Sequence, residues 1–109
     1  MYIKVLDEIG DRATDMQQGD TICEKIISGF LNNEIVEIDF SGMKTMLSTF
    51  LNNAIGTLYH DYSSDFLNNN LKVTNLCTED LFILKRVIAR AKDFYSNPQN
   101  ITNTLDDIL

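Results

Sequence analysis

Basic residues are scarce in this chain: nine Lys and Arg stand against 16 Asp and Glu, a net charge of -7 over 109 residues. A surface of that sign repels phosphate backbones and anionic lipid, so nucleic acid and membrane are not the expected partners. A cationic groove on another protein suits it better. Long apolar runs are also missing. None is long enough to cross a bilayer, and Asp7 and Glu8 cut short the apolar start before it resembles a signal peptide, which predicts a cytoplasmic protein. Histidine occurs once, at His60 beside Asp61, where a surface role at a helix end is expected. The only cysteines, Cys23 and Cys77, lack metal-site spacing and a neighbouring His, so zinc and catalytic-thiol chemistry find no support. Both are expected as reduced thiols packed in the core. The glycines are scattered and form no phosphate-cradling loop, and there is no internal repeat. No cofactor and no metal are expected.

What is present is a 44% apolar composition in a length suited to one domain. Residues 2–9 read as a strand through Ile3, Val5 and Ile9, ended by Gly10. Residues 11–19 read as a loop with a short extended piece. Asp20 or Thr21 then caps a helix running to about Asn32, with Ile22, Cys23, Ile26, Ile27 and Phe30 on one face. Ile35, Val36, Ile38 and Phe40 form a buried central strand, and Ser41-Gly42 is the turn after it. A second helix begins near Ser48 and carries Phe50, Leu51, Ala54, Ile55, Leu58 and Tyr59. Residues 63–70 read as a polar connection. Leu71, Val73 and Leu76 make a third strand. Thr78 reads as the cap of a helix that puts Lys85, Arg86, Arg90 and Lys92 toward its C-terminal half and closes near Pro98. The alternation predicts a layered α/β domain, a central mixed sheet with helices packed on it, over residues 1–98. The two apolar strands pair in parallel through the second helix with a right-handed crossover. Residues 99–109 are a tail with Ile101, Leu105, Ile108 and Leu109 at helical spacing, suited to a short docked helix or to a partner.

The stretch from Glu37 to Phe50 carries the most information. An apolar strand ends in Asp39-Phe40, Ser41-Gly42 follows, and a short connection through Met46 leads to the hydroxyl pair Ser48-Thr49 opening a helix. This pattern resembles the STAS domains of anti-sigma factor antagonists, and specifically the bacterial STAS-like domains of unknown function. Phe50 after the hydroxyl pair is typical of the latter group, and Arg12 and Gly19-Asp20 sit where it often carries an Arg and a Gly. The resemblance spans residues 2–94. It implies a small STAS-like fold and a non-enzymatic regulatory module that binds a protein partner. In the related antagonists that partner is an anti-sigma factor, a kinase of the histidine-kinase-like ATPase superfamily. It implies Asp39, Ser41, Gly42, Ser48, Thr49, Asp20 and Arg12 as the partner-binding set. Thr49 aligns with the phosphorylated serine of that family, and Ser48 with the hydroxyl before it. Two departures stand out: Leu47 replaces the Asp usual before the hydroxyl pair, and Thr49-Phe50 replaces Ser-Gly.

The physics of the motif stands apart from the name. A hydroxyl at a loop-to-helix junction lies beside unpaired backbone N–H groups, which favour a phosphate. A phosphate there adds about -1.5 to -2 charges and can abolish an interface. The plainer reading makes Ser48 an N-cap and Thr49 its first-turn neighbour, with no further role.

A second reading takes Asp39 with Asp7 and Glu8 as a receiver-like acidic cluster that holds Mg²⁺ and accepts a phosphoryl group on Asp39. Against it, the sequence offers three main strands where a receiver needs five, and no late-strand Lys can be placed. The basic positions of the last helix read as a solvated face with charges favourable at a helix end.

Overall fold

The computed structural model describes residues 1–96. Pro98, the expected boundary there, and the expected tail helix over 99–109 lie outside the described residues.

Tyr2–Lys4 is the first strand (β1), and it is shorter than the pattern suggested. Val5–Ile9 turns into a helix (α1) because Val5 and Ile9, four residues apart, share one face toward the core, with Val5 fully buried. Gly10 ends α1 at φ 84°, and its N–H donates to the Leu6 carbonyl at 3.0 Å. An alternating strand reading fits the same residue types. Period four wins here over period two.

Arg12–Ala13 is a two-residue strand (β2), the short extended piece expected in that loop. The long helix α2 spans Met16–Leu31 and starts earlier than Asp20. Its start is set by a capping box. The Asp15 carboxylate accepts from the Gln18 N–H at 2.8 Å, while the Gln18 side chain accepts from the Asp15 N–H at 3.2 Å. Asp20 and Thr21 therefore lie inside the helix and cap nothing. Ile22, Ile26 and Phe30 form its buried face.

Val36–Asp39 is the central strand (β3), with Val36 and Ile38 fully buried. It pairs in parallel with β1 on one side and with Leu71–Thr74 (β5) on the other. Thr45–Met46 (β4) pairs in parallel with β2 as a separate ribbon. Each pairing among the described residues is parallel, as expected for the two apolar strands. Leu76 lies beyond β5 and packs on the core without joining the sheet.

The second helical region is Ser48–Leu51 (α3), a π-helical turn over Asn52–Gly56, and Leu58–Asp61 (α4). Phe50, Leu51, Ala54, Ile55 and Leu58 are buried along it as expected. Residues 64–70, expected as a connection, form helix α5 (Ser64–Asn70), because the Ser63 hydroxyl caps it by accepting from the Phe66 N–H at 3.0 Å. Its polar Asn-rich sequence hides the contribution of Phe66, which packs edge-on against Phe30, and of buried Leu67. Helix α6 covers Thr78–Ser96 and opens with Thr78 already helical. Helices α2 and α6 both pack on the π-helical turn, which puts the central helix in the middle of the helical layer. The result is a small layered α/β domain with helices on a parallel sheet.

Candidate interaction site

The site is built where β4 hands over to α3. The Leu47 N–H donates to the Ala13 carbonyl at 2.9 Å, so the β2–β4 ribbon fixes the chain up to the residue before the helix. Leu47 is the N-cap, extended at φ -110°, and no side chain caps α3. Ser48 and Thr49 are its first two helical residues. Ser48 thus sits one position past the cap it was expected to occupy, which leaves its hydroxyl free of a capping duty. Both hydroxyl residues are exposed, and neither side chain hydrogen-bonds to a described residue.

Beside them lies a cleft of about 240 Å³ lined by Leu47, Ser48, Ile83, Arg86, Val87 and Arg90. All four basic residues of α6 are exposed, as expected of a solvated face, and two of them, Arg86 and Arg90, also line the cleft that Ser48 lines. Neither arginine has an ion pair or hydrogen bond with any described residue. Thr49 is not part of the lining. Lys85 turns to a different groove beside Ile88, and Lys92 lies over the Tyr59 ring at 5.9 Å. The signal for this cleft was present in the sequence as the Arg86/Arg90 spacing of one helical turn. What the sequence withheld was the docking of α6 against the start of α3.

None of the other expected site residues lines this cleft, and several of them help to hold the fold. Asp39 is only 6% exposed, and both its oxygens are occupied. The Tyr2 hydroxyl donates to Oδ2, while the Ser41 N–H and Asn75 Nδ2 each donate to Oδ1 at 2.8 Å. Asn75 reaches it from a left-handed turn at φ 62°, a conformation Asn tolerates. These donors, the Tyr2 hydroxyl first, hold the Asp39 carboxyl well below the usual carboxylate range. The same bond pushes Tyr2 up to about 12. Asp39 thus orders the turn at Ser41 and links all three strands, from Tyr2 at the start of β1 to Asn75 just past β5.

Gly42 lies against Leu6 of α1: a Cβ there would come within 2.9 Å of Leu6 Cδ2, and its φ of 79° disfavours any side chain. Asp20 accepts from Asn53 Nδ2 at 2.9 Å, which ties α2 to the π-helical turn. Arg12 is exposed on β2 opposite Thr45. The structure gathers Ser48 with the two arginines, while Thr49, Asp39, Ser41, Gly42, Asp20 and Arg12 do not line the cleft.

The receiver-like cluster is not assembled. Asp7 and Glu8 belong to α1 and not to a strand end, and Glu8 pairs with Lys25 at 2.9 Å. Among the described residues no group of three or more His, Cys, Asp or Glu side chains is placed to hold a metal ion. The thiols are free, and the expectation that both lie in the core fails for Cys77, which is exposed just before α6. Cys23 is half-buried 3.5 Å from the Thr57 hydroxyl, and burial pushes its thiol up. His60 is exposed, with Nδ1 2.8 Å from Asp61 Oδ1 and its ring edge-on to Tyr95. No helix among the described residues is long and apolar enough to cross a membrane.

No curated protein and no solved structure matches the chain. Residues 18–81 match a family of STAS-like domains of unknown function, a span that holds most of α2, the central strand, the hydroxyl pair and the start of α6. With more than half of its length matched, this chain belongs to the STAS-like family of domains of unknown function.

Proposed function

We propose that the chain is a non-enzymatic regulatory module that binds a protein partner through the exposed start of α3 and the adjoining flank of α6. One observation carries this reading. Leu47, Ser48, Arg86 and Arg90 meet at one cleft, yet among the described residues neither the hydroxyl nor the guanidiniums have a hydrogen-bonding duty. Polar groups without a structural task, beside a large apolar side chain 47% exposed, are what a protein interface uses.

By resemblance to the anti-sigma factor antagonists, the partner is an ATPase of the histidine-kinase-like superfamily or an anti-sigma factor. Such a kinase would move the terminal phosphoryl group of ATP to a hydroxyl at the start of α3, releasing ADP and the hydroxyl proton. Ser48 is better placed for this control than Thr49, because a phosphate on its Oγ would lie in the cleft with Arg86 and Arg90. Affinity capture from the native cells tests the reading, with wild type beside Ser48→Glu and Thr49→Glu. The expected result is a specific partner retained by wild type and weakened more by Ser48→Glu. A partner held equally by all three contradicts a switch at this site. Capture of no specific partner by wild type contradicts the module itself.

A further inference from the structure

We propose that the cleft between α3 and α6 takes a short acidic segment of the partner protein. An apolar side chain of that segment sits on Leu47, Ile83 and Val87, and a neighbouring carboxylate is held by Arg86 and Arg90. The inference rests on the interaction-module reading and names the chemistry of what is bound.

Size is the first argument. At about 240 Å³ the cleft is smaller than the roughly 300–1,000 Å³ typical of small-molecule sites, and it has room for one or two side chains. Charge is the second. On a chain of net charge -7, two arginines one helical turn apart converge on one cleft and meet no carboxylate among the described residues. Residues four apart on a helix stand about 5–6 Å apart, close enough for both guanidiniums to reach one carboxylate or two adjacent ones. Their planar forks suit carboxylate better than an ammonium would. The third argument is continuity. Phe82 lies one turn before Arg86 on the same row of α6 and is 62% exposed, which extends an apolar-then-basic strip beyond the cleft. A buried role for that row is excluded, since α6 is anchored through Leu84, Val87 and Ala91. Two arginines on so acidic a chain are too few to hold a nucleic-acid backbone.

The same geometry gives the phosphoserine switch a mechanism. A phosphate on Ser48 competes with the partner's carboxylate for the same two arginines, so modification and binding exclude each other.

Selection of displayed random peptides on the full chain tests this, followed by fluorescence anisotropy with the best peptide synthesised. The expected peptides carry an acidic residue next to a bulky apolar one. Their affinity falls about tenfold or more in Arg86→Ala/Arg90→Ala, and likewise in Ser48→Glu. It also weakens as salt rises, and it is unchanged in Lys85→Ala, which removes a charge from the same helix on another groove. Circular dichroism confirms that each variant is folded. Failure to select any peptide, or selected peptides without acidic residues, overturns the proposal. Peptides that bind the double variant as tightly as wild type also overturn it, while leaving a binding module that uses another surface.

Discussion

At the scale of single residues, Asp39 shows how a motif position can serve the fold first. Its carboxylate collects the Tyr2 hydroxyl from the start of β1, and the Ser41 N–H and the Asn75 amide from the turns after β3 and β5. Because these bonds favour the charged form, Asp39 holds its proton less tightly folded than unfolded. The stability it contributes is therefore full above the ordinary Asp value of about 4 and is lost as pH falls below that. Asp39→Asn is expected to lower Tm at neutral pH and to flatten the acid limb of the stability profile, as read by thermal melts across pH 2–7. Tyr2 has the opposite sign. Its folded value is raised from 10.0 to about 12, so its contribution is full below about 10 and is lost as pH rises through about 12. Ultraviolet titration of the four tyrosines is expected to show a late step near 12 that Tyr2→Phe removes and Asp39→Asn moves earlier. That a turn follows the strand was legible from Ser41-Gly42. The two distant partners of Asp39, 37 and 36 residues away, could not be read because they depend on the parallel register.

Among the elements, the sequence was most legible where apolar periodicity was strong and least where a helix was short or polar. The faces of α2 and of the α3–α4 region follow from their spacing. The true start of α2 lay in Asp15 and Gln18, a capping box written with Asp and Gln in a polar stretch that otherwise reads as loop. Asp15→Ala is expected to cost about 1 kcal/mol in urea denaturation. The π-helical turn had no sequence signal. Its neighbour Gly19 explains part of its setting: a Cβ on Gly19 would stand 2.6 Å from the Phe50 carbonyl oxygen and 2.7 Å from Asn53 Cβ. Backbone cannot give way as a side-chain tip does, so Gly19→Ala is expected to destabilise by about 1–3 kcal/mol despite the better helix propensity of Ala, again by urea denaturation. Helix α5 was hidden for a different reason. Three asparagines in a row read as a connection, and the helix is held by the Ser63 cap and the Phe66 contact with Phe30.

For the molecule as a whole, the sheet and the helical layer follow from the alternation of elements, while the candidate site follows from tertiary docking that no local pattern encodes. Ser48 and Arg90 lie on helices separated by α4, α5 and β5, and only the packing of α6 on the central helix makes them neighbours. The net charge of -7 suggested a cationic groove on the partner. The cleft adds a local reversal of that charge, a small basic patch on an acidic surface, so recognition is expected to be mutual and salt-sensitive. In the proposed module a protein partner covers the start of α3 together with the adjoining flank of α6. Hydrogen exchange of the chain, free and bound to the partner captured from native cells, tests it most directly. Protection on binding is expected, centred on residues 47–50 and 82–90. Unchanged exchange in both stretches, with protection confined to the exposed face of α2 or to α5, would contradict it.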